Sequence, residues 1–188
     1  MALSDWEPRP ADGAYYEDRT AYIRQGDLFR DVPLGHPWPP DAVGHSEGNR
    51  KYLAGPFEPG FGLLLSPTCS YIAQGVDAGY AHPVRTLAPV LPLARLVEEG
   101  AVKLGALEDL RTYDHLVSYL YVPESEAIGL PESLALLYAP ITLHHDYLEG
   151  QRVAQLSEAA AVHLKYKLTA FFAGQRFSHD DFDDVAGR

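Results

Sequence analysis

The sequence has little cysteine, few basic residues and no long apolar run. One cysteine in 188 residues excludes an internal disulfide and favours a reducing compartment, so we expect the cytoplasm. No run approaches the roughly 20 apolar residues that cross a bilayer, and the start does not resemble a leader, so we expect no membrane association. The glycine patterns of nucleotide-binding loops and the Gly-x-Ser-x-Gly elbow of hydrolases are also missing, so these enzyme classes are not indicated.

Charge narrows the expected partners. The chain contains 15 Lys and Arg against 26 Asp and Glu, giving a formal net charge of −11. A surface of this sign repels a bare polyanion at long range. We therefore expect a protein partner, either a second copy in a homodimer or a basic cognate protein. RNA stays a second candidate, which would need a local basic patch.

The order of short apolar runs and chain breakers predicts one domain of the α+β class. We expect a flexible arm over 1–20, a single domain over 21–177 and an acidic tail over 178–188. A stretch rich in proline and glycine over 35–60 is expected to be a long loop. Strands are predicted at 61–66, 84–91, 116–122, 134–138 and 141–144, and short helical segments at 93–99 and 107–113.

A longer amphipathic helix is predicted at the C-terminal end. Ser157 is a suitable N-cap, and the apolar residues Ala161, Leu164, Leu168 and Phe171 follow at helical spacing. Lys165 and Lys167 lie off this stripe, which is expected to pack on the sheet.

Several segments occur in an order that resembles the MazF/PemK family of toxin barrels. They begin with Gln-Gly-Asp-Leu-Phe at 25–29, Leu-Leu-Leu-Ser at 63–66 and Thr-Leu-Ala-Pro-Val at 86–90. A Gly-Leu-Pro turn at 129–131 and a strand then lead to Ile141-Thr142, Arg152 and the Leu156-Ser157 helix start. The resemblance implies a small, strongly bent antiparallel β-barrel with long loops and a C-terminal helix. It also implies a homodimer and a place in a toxin–antitoxin or phage-defence module.

The same resemblance implies an activity whose catalytic groups do not match this chain. Members of the family cleave RNA without a metal, using an arginine just before the second strand and a threonine or serine at the end of the third. Here the first place holds Gly60, Phe61 and Gly62, and the second holds Leu91 or Pro92. We therefore expect altered or lost endoribonuclease activity and a partner-binding role. A divergent metal-independent endoribonuclease is the alternative.

Cys69, His82 and Arg85 are the candidate catalytic residues. Cys69 follows a buried strand, and a histidine or arginine nearby would favour its thiolate, the nucleophilic form. This arrangement would make the protein a thiol-dependent enzyme, a third function class. The alternative is that Cys69 is a small buried apolar side chain.

Arg50, Tyr52 and Thr68 are the candidate substrate-binding residues. An arginine beside an aromatic ring suits phosphate contact and base stacking, and these residues are expected to converge with Cys69 and Arg85. The alternative is that surface arginines pair with carboxylates while the loops only cap an open barrel end.

No metal or cofactor site is expected. His144, His145 and Asp146 are adjacent, but neighbouring side chains in an extended segment point to opposite faces, so a surface turn is the expected structure. Arg111, Asp114 and His115 near a helix end could form a proton-transfer group, but a solvated helix face is the expected structure.

Overall fold

The computed structural model describes most of the central part of the chain. The described residues are 14–16, 23–35, 43–47, 50–54, 57–67, 83–112 and 118–173, with the backbone alone for 43–47, 50–54 and Thr112. The predicted acidic tail lies outside these ranges, and only 14–16 of the predicted arm lie within them.

Nine strands and four α-helices occur in the described residues. The strands are β1 Asp27–Gly35, β2 Val43–Glu47, β3 Arg50–Ala54, β4 Phe57–Leu64, β5 Val84–Pro92, β6 Tyr119–Val122, β7 Ser133–Leu136, β8 Ile141–His144 and β9 Arg152–Gln155. The helices are α1 Leu93–Glu98, α2 Leu107–Thr112, α3 His145–Leu148 and α4 Glu158–Ala173, with 3-10 turns at Leu104–Ala106 and Glu126–Ile128.

Seven of these strands form one antiparallel sheet. Its order is β6-β7-β5-β4-β1-β9, and β8 also pairs with β5. The sheet curls into a half-barrel. A bulge between Phe29 and Val32 shifts the β1 register, and Asp31 within it has a φ of 54°, a local irregularity of the kind that bends a strand. The predicted α+β class, with a small bent antiparallel barrel and a C-terminal helix, is confirmed.

Apolar side chains cover both faces of the sheet. On the face that packs against α4, the buried cluster includes Leu28, Leu63, Ala88, Val90, Leu120, Ala160 and Leu164. The opposite face has one cluster at α3, made of Phe29, Val32, Leu64, Leu87 and Leu148. A second cluster there joins α1 and α2 to the sheet through Leu93, Leu96, Leu110, Tyr121 and Leu134. Burial on both faces explains why the central strands are apolar runs.

Helix α4 begins where the sequence predicts, but its buried face is displaced from the predicted stripe. The Oγ of Ser157 accepts a long hydrogen bond from the Ala160 backbone N–H, at 3.4 Å. Leu164 and Leu168 are buried as predicted. The placement of Lys167 off the packed face was wrong, because this side chain is buried beside Leu168 on the same helix.

The prediction of one long loop over 35–60 was also wrong. Strands β2 and β3 form a two-stranded antiparallel pair, with Glu47 opposite Arg50, and β4 already begins at Phe57. The two residues between the paired strands are Gly48 and Asn49, a combination typical of tight hairpins. The prolines that suggested a loop flank this hairpin and do not interrupt it.

Residues 14–16 extend the sheet at β9. The backbone N–H of Tyr16 donates to the Gln155 carbonyl at 2.9 Å, and that of Ser157 donates to the Ala14 carbonyl at 2.8 Å. The Tyr15 hydroxyl donates to the Pro123 carbonyl, just after β6, at 2.6 Å. Tyr15 therefore links the two ends of the main strand order.

Candidate functional site

Only Arg85 of the six predicted site residues has a described side chain. Arg50 and Tyr52 lie in β3, for which the backbone alone is described, and Thr68, Cys69 and His82 lie outside the described residues. The convergence of these residues therefore stays a prediction, and so does the thiol chemistry of Cys69.

Arg85 is fully buried, and one of its hydrogen-bond partners is a histidine that the sequence did not pair with it. Its Nε donates to Nδ1 of His145 at 3.3 Å, and its Nη1 donates to the Val84 carbonyl at 3.3 Å. The pairing of β8 with β5 creates this contact, since the His145 N–H also donates to the Pro83 carbonyl at 2.6 Å. A guanidinium enclosed in this way orders the β5–β8 junction and is shielded from a substrate in solution.

The contact with Arg85 favours the neutral form of His145. Burial, followed by the nearby Arg85 charge, lowers the pKa of His145 below its usual value, while Glu149 and Asp146 act in the opposite direction. The His145 Nδ1 is therefore the acceptor, and Nε2 lies 4.0 Å from the Glu149 carboxylate. The expectation of a surface turn was wrong for His145, which is buried, and agrees with the exposed position of His144.

The places at which the resemblance puts catalytic groups are filled by apolar packing. A Cβ at Gly60 would collide with the Leu34 side chain, and one at Gly62 would lie 3.0 Å from Leu87 and 3.1 Å from Val32. Phe61 packs against the cluster on the α4 face, and Leu91 against the cluster at α1. Neither place offers a side chain that can donate a proton or bind a phosphate.

A buried charge pair lies at the start of β1. Asp27 is fully buried and accepts hydrogen bonds from the Arg24 backbone N–H at 2.9 Å, Arg152 Nη1 at 3.0 Å and Gln155 Nε2 at 2.8 Å. The Arg24 guanidinium lies over the Tyr16 ring, 4.9 Å from its centroid. Asp27 and Arg152 entered the family resemblance as separate motif residues, and no local signal in the sequence indicates that they form a pair.

A second polar group fastens α2 to the sheet. Arg111 makes a bidentate pair with Glu132, at 2.8 and 3.1 Å, and the Tyr121 hydroxyl donates to the same carboxylate at 2.7 Å. The hydrogen bond from Arg111 lowers the pKa of Glu132, and burial raises that of Tyr121. Arg111 thus holds a structural ion pair; Asp114 and His115 lie outside the described residues.

The described residues contain no group of three or more His, Cys, Asp or Glu side chains arranged to hold a metal ion. No helix within them has the length and apolar character needed to span a membrane.

Comparison with known proteins adds no family assignment. No protein-family model matches the chain, and no curated protein matches it.

Proposed function

We propose that this chain is a cytoplasmic MazF/PemK-like barrel protein that has lost endoribonuclease chemistry and acts by binding a partner protein. Its setting would be a toxin–antitoxin or phage-defence module. The observation that carries the proposal is the apolar packing at both places where the resemblance puts catalytic groups.

The packing at Gly60 and Gly62 argues against a simple restoration of the missing arginine. A Cβ at Gly60 would require the Leu34 side chain to move, and one at Gly62 would require Leu87 or Val32 to shift slightly within the cluster at α3. RNA cleavage needs charged or hydrogen-bonding groups where charge develops on the phosphate. Leu91 and Pro92 supply none at the second place. The chain therefore has the barrel but lacks the side chains that RNA cleavage would need at these two places.

Surface charge supports a protein as the partner. The net charge is −11, and the exposed acids of α1 and α2 include Glu98, Glu108 and Asp109. Basic proteins are attracted to such a surface, while RNA is repelled at long range. The partner is therefore a basic protein; a second copy of the chain has the same negative charge and is the less favoured occupant.

Incubation with RNA tests the loss of nuclease activity. The full chain is mixed with long single-stranded RNA, with and without EDTA, and the RNA is examined on a denaturing gel. We expect no cleavage above buffer in either case. A matched double variant, Arg50→Ala with Tyr52→Ala, separates intrinsic activity from a contaminant. Cleavage with EDTA that disappears in this variant would establish the alternative, a divergent metal-independent endoribonuclease, and refute the proposal.

A further inference from the structure

Strand β8 forms an open edge of the main sheet among the described residues. It pairs with β5 alone, along the same side of β5 that binds β7. His145 and Pro83 face each other through the 2.6 Å hydrogen bond, and the same register pairs Leu143 with Arg85 and Ile141 with Leu87. In an antiparallel ladder, hydrogen-bonded pairs alternate with pairs whose backbone groups point away. Ile141 and Leu143 therefore bond to β5.

The intervening residues direct their backbone groups outward. These groups are the N–H and C=O of Thr142 and the N–H of His144. His144 is also the N-cap of α3, and its Nδ1 accepts a hydrogen bond from the Asp146 backbone N–H. Both Thr142 and His144 are exposed, and no described residue makes a backbone hydrogen bond to these three groups. These three groups are spaced so that one more strand, antiparallel or parallel, could form backbone hydrogen bonds with them.

Strand β8 is short, a common feature of natural edge strands, but its four residues carry none of the other common protections against pairing with another chain. Natural edge strands carry lysines, internal prolines or bulges, and β8 has the sequence Ile-Thr-Leu-His with an unbroken register to β5. Exposed apolar side chains lie near β8, one on the neighbouring strand β5 and two in the chain just before and after β8. Val84 is 49% exposed opposite His144, Tyr138 is 50% exposed before the strand, and Tyr147 is 43% exposed after it.

The charged side chains of the segment that contains β8 have one sign. Residues 138–151 contain no lysine or arginine, and their charged residues at neutral pH are Asp146 and Glu149. Both carboxylates are well exposed, with 80% and 68% of each side chain accessible. A strand that carries basic side chains would find complementary charge there.

We propose that the outer edge of β8 binds an extended, basic segment of a partner protein, which adds a strand to the sheet. Main-chain hydrogen bonds to Thr142 and His144 hold the segment, and its basic side chains contact Asp146 and Glu149. This inference rests on the proposed partner-binding function, for which it names the surface and the kind of partner.

A blocked peptide of four Lys-Val repeats, labelled with a fluorophore, probes the edge directly. Its affinity for the full chain is measured by fluorescence anisotropy and compared with that of a Glu-Val peptide of equal length. We expect the basic peptide to bind about tenfold more tightly. Thr142→Pro removes the outward N–H and should weaken binding about tenfold, whereas Thr142→Ala keeps the N–H and should bind as the original chain does.

Amide exchange gives a second measurement if the proline variant does not fold. In the unaltered chain, the basic peptide should slow exchange of the Thr142 and His144 amides and leave that of Leu143 unchanged. Equal binding of both peptides, equal effects of the two Thr142 variants, or no protection of these amides would overturn the proposal. Self-association that Thr142→Pro abolishes would also overturn it, because the occupant would then be a second copy.

The peptide assay and the RNA assay test different proposals, so a negative result in one does not decide the other. A chain that cleaves RNA and still binds the basic peptide at Thr142 refutes the proposed loss of nuclease activity alone. A chain that neither cleaves RNA nor binds the peptide refutes the assignment of the β8 edge alone.

Discussion

The edges of the sheet at β9 and β8 are built in different ways. At β9, residues 14–16 add backbone hydrogen bonds to Gln155 and Ser157, and Ala14 is buried. At β8, Thr142 and His144 direct backbone groups outward with no strand pairing them among the described residues. The chain thus covers one edge with its own N-terminal residues. The other edge is the one at which we propose that a partner strand binds.

The buried polar contacts beside the two edges also differ: the contact near β9 is an ion pair, and the contact near β8 joins an arginine to a histidine. Near β9, Asp27 and Arg152 carry opposite charges and attract each other. Near β8, Arg85 faces His145, which favours the contact only while the imidazole is neutral. The covered edge therefore lies beside an ion pair, and the open edge beside a contact that acid weakens.

Removing the carboxylate of Asp27 should have the largest effect on stability. Asp27→Ala removes the carboxylate that pairs with the mostly buried Arg152 guanidinium and accepts a hydrogen bond from Gln155. Breaking a buried ion pair by removing one member costs about 3–5 kcal/mol. Urea denaturation followed by circular dichroism measures the change in the free energy of unfolding.

The exposed pair between Glu58 and Arg95 is the matched control for Asp27. Both side chains are largely accessible, and an exposed ion pair contributes about 0–1 kcal/mol. Glu58→Gln should therefore be nearly neutral. If Asp27→Ala and Glu58→Gln lowered the free energy of unfolding by similar amounts, burial would not make the Asp27 pair more important than the exposed pair.

Acid should destabilise the protein and loosen the β8 side first. Burial, then Arg85, lowers the pKa of His145, and burial, then Lys167, lowers that of His163 to about 3. Each histidine takes up its proton near pH 6.5 when unfolded. Their stabilising effect is thus complete above about pH 6.5 and is lost as the pH falls toward the folded pKa, by at most about 1.4 kcal/mol per pH unit for each imidazole.

Amide exchange between pH 7 and pH 5 separates the two histidines. Exchange in α3 and β8 should accelerate relative to β1 and β9, once corrected for the intrinsic pH dependence. His145→Asn keeps an acceptor near the Nδ1 position and removes the titrating group, so the local acid response should disappear. A response that persists in this variant would assign it to another group near His145, such as Glu149, Asp146 or His144.

The hydroxyl of Tyr15 should contribute less than the charge pair. Tyr15→Phe removes the 2.6 Å hydrogen bond to the Pro123 carbonyl, a change that costs about 1 kcal/mol. Tyr147→Phe is the control, because its hydroxyl bonds the Asp31 carbonyl at 3.1 Å on an exposed side chain. Thermal unfolding should show a lower midpoint for Tyr15→Phe alone. Equal shifts would contradict the view that Tyr15 fastens the β9 edge to the end of β6.

Local signals in the sequence predicted much of the fold. The apolar runs that became β4 and β5 are brief and end near Pro67 and Pro92, and Ser157 marks the start of α4. The hairpin of β2 and β3 also had a local signal, the Gly48-Asn49 pair, which the surrounding prolines outweighed. These features could be predicted because each depends on a few neighbouring residues.

The polar contacts could not be predicted because they join distant parts of the chain. Arg85 and His145 are 60 positions apart, Tyr15 and Pro123 are 108 apart, and Asp27 and Arg152 are 125 apart. Each contact forms only after a strand register is set, and a shift of one residue would turn the side chain to the other face. From the sequence alone, the histidine predicted to lie near Arg85 was His82, because it is close along the chain.

The smallest effect on stability is expected for Thr142→Pro, at the open edge. The Thr142 N–H points away from β5, and proline is tolerated in edge strands where the N–H faces solvent, so the cost should stay below about 1 kcal/mol. Leu143→Pro is the matched variant, since its N–H points toward β5 opposite Arg85, and loss of that ladder bond should cost about 3 kcal/mol or more. Leu143→Ala measures the part of this loss that comes from the half-buried side chain. Urea denaturation of the three variants tests whether the backbone N–H groups of Thr142 and Leu143 point in opposite directions. If Thr142→Pro destabilises the chain as much as Leu143→Pro, the outer edge of β8 is already paired and has no room for a partner strand.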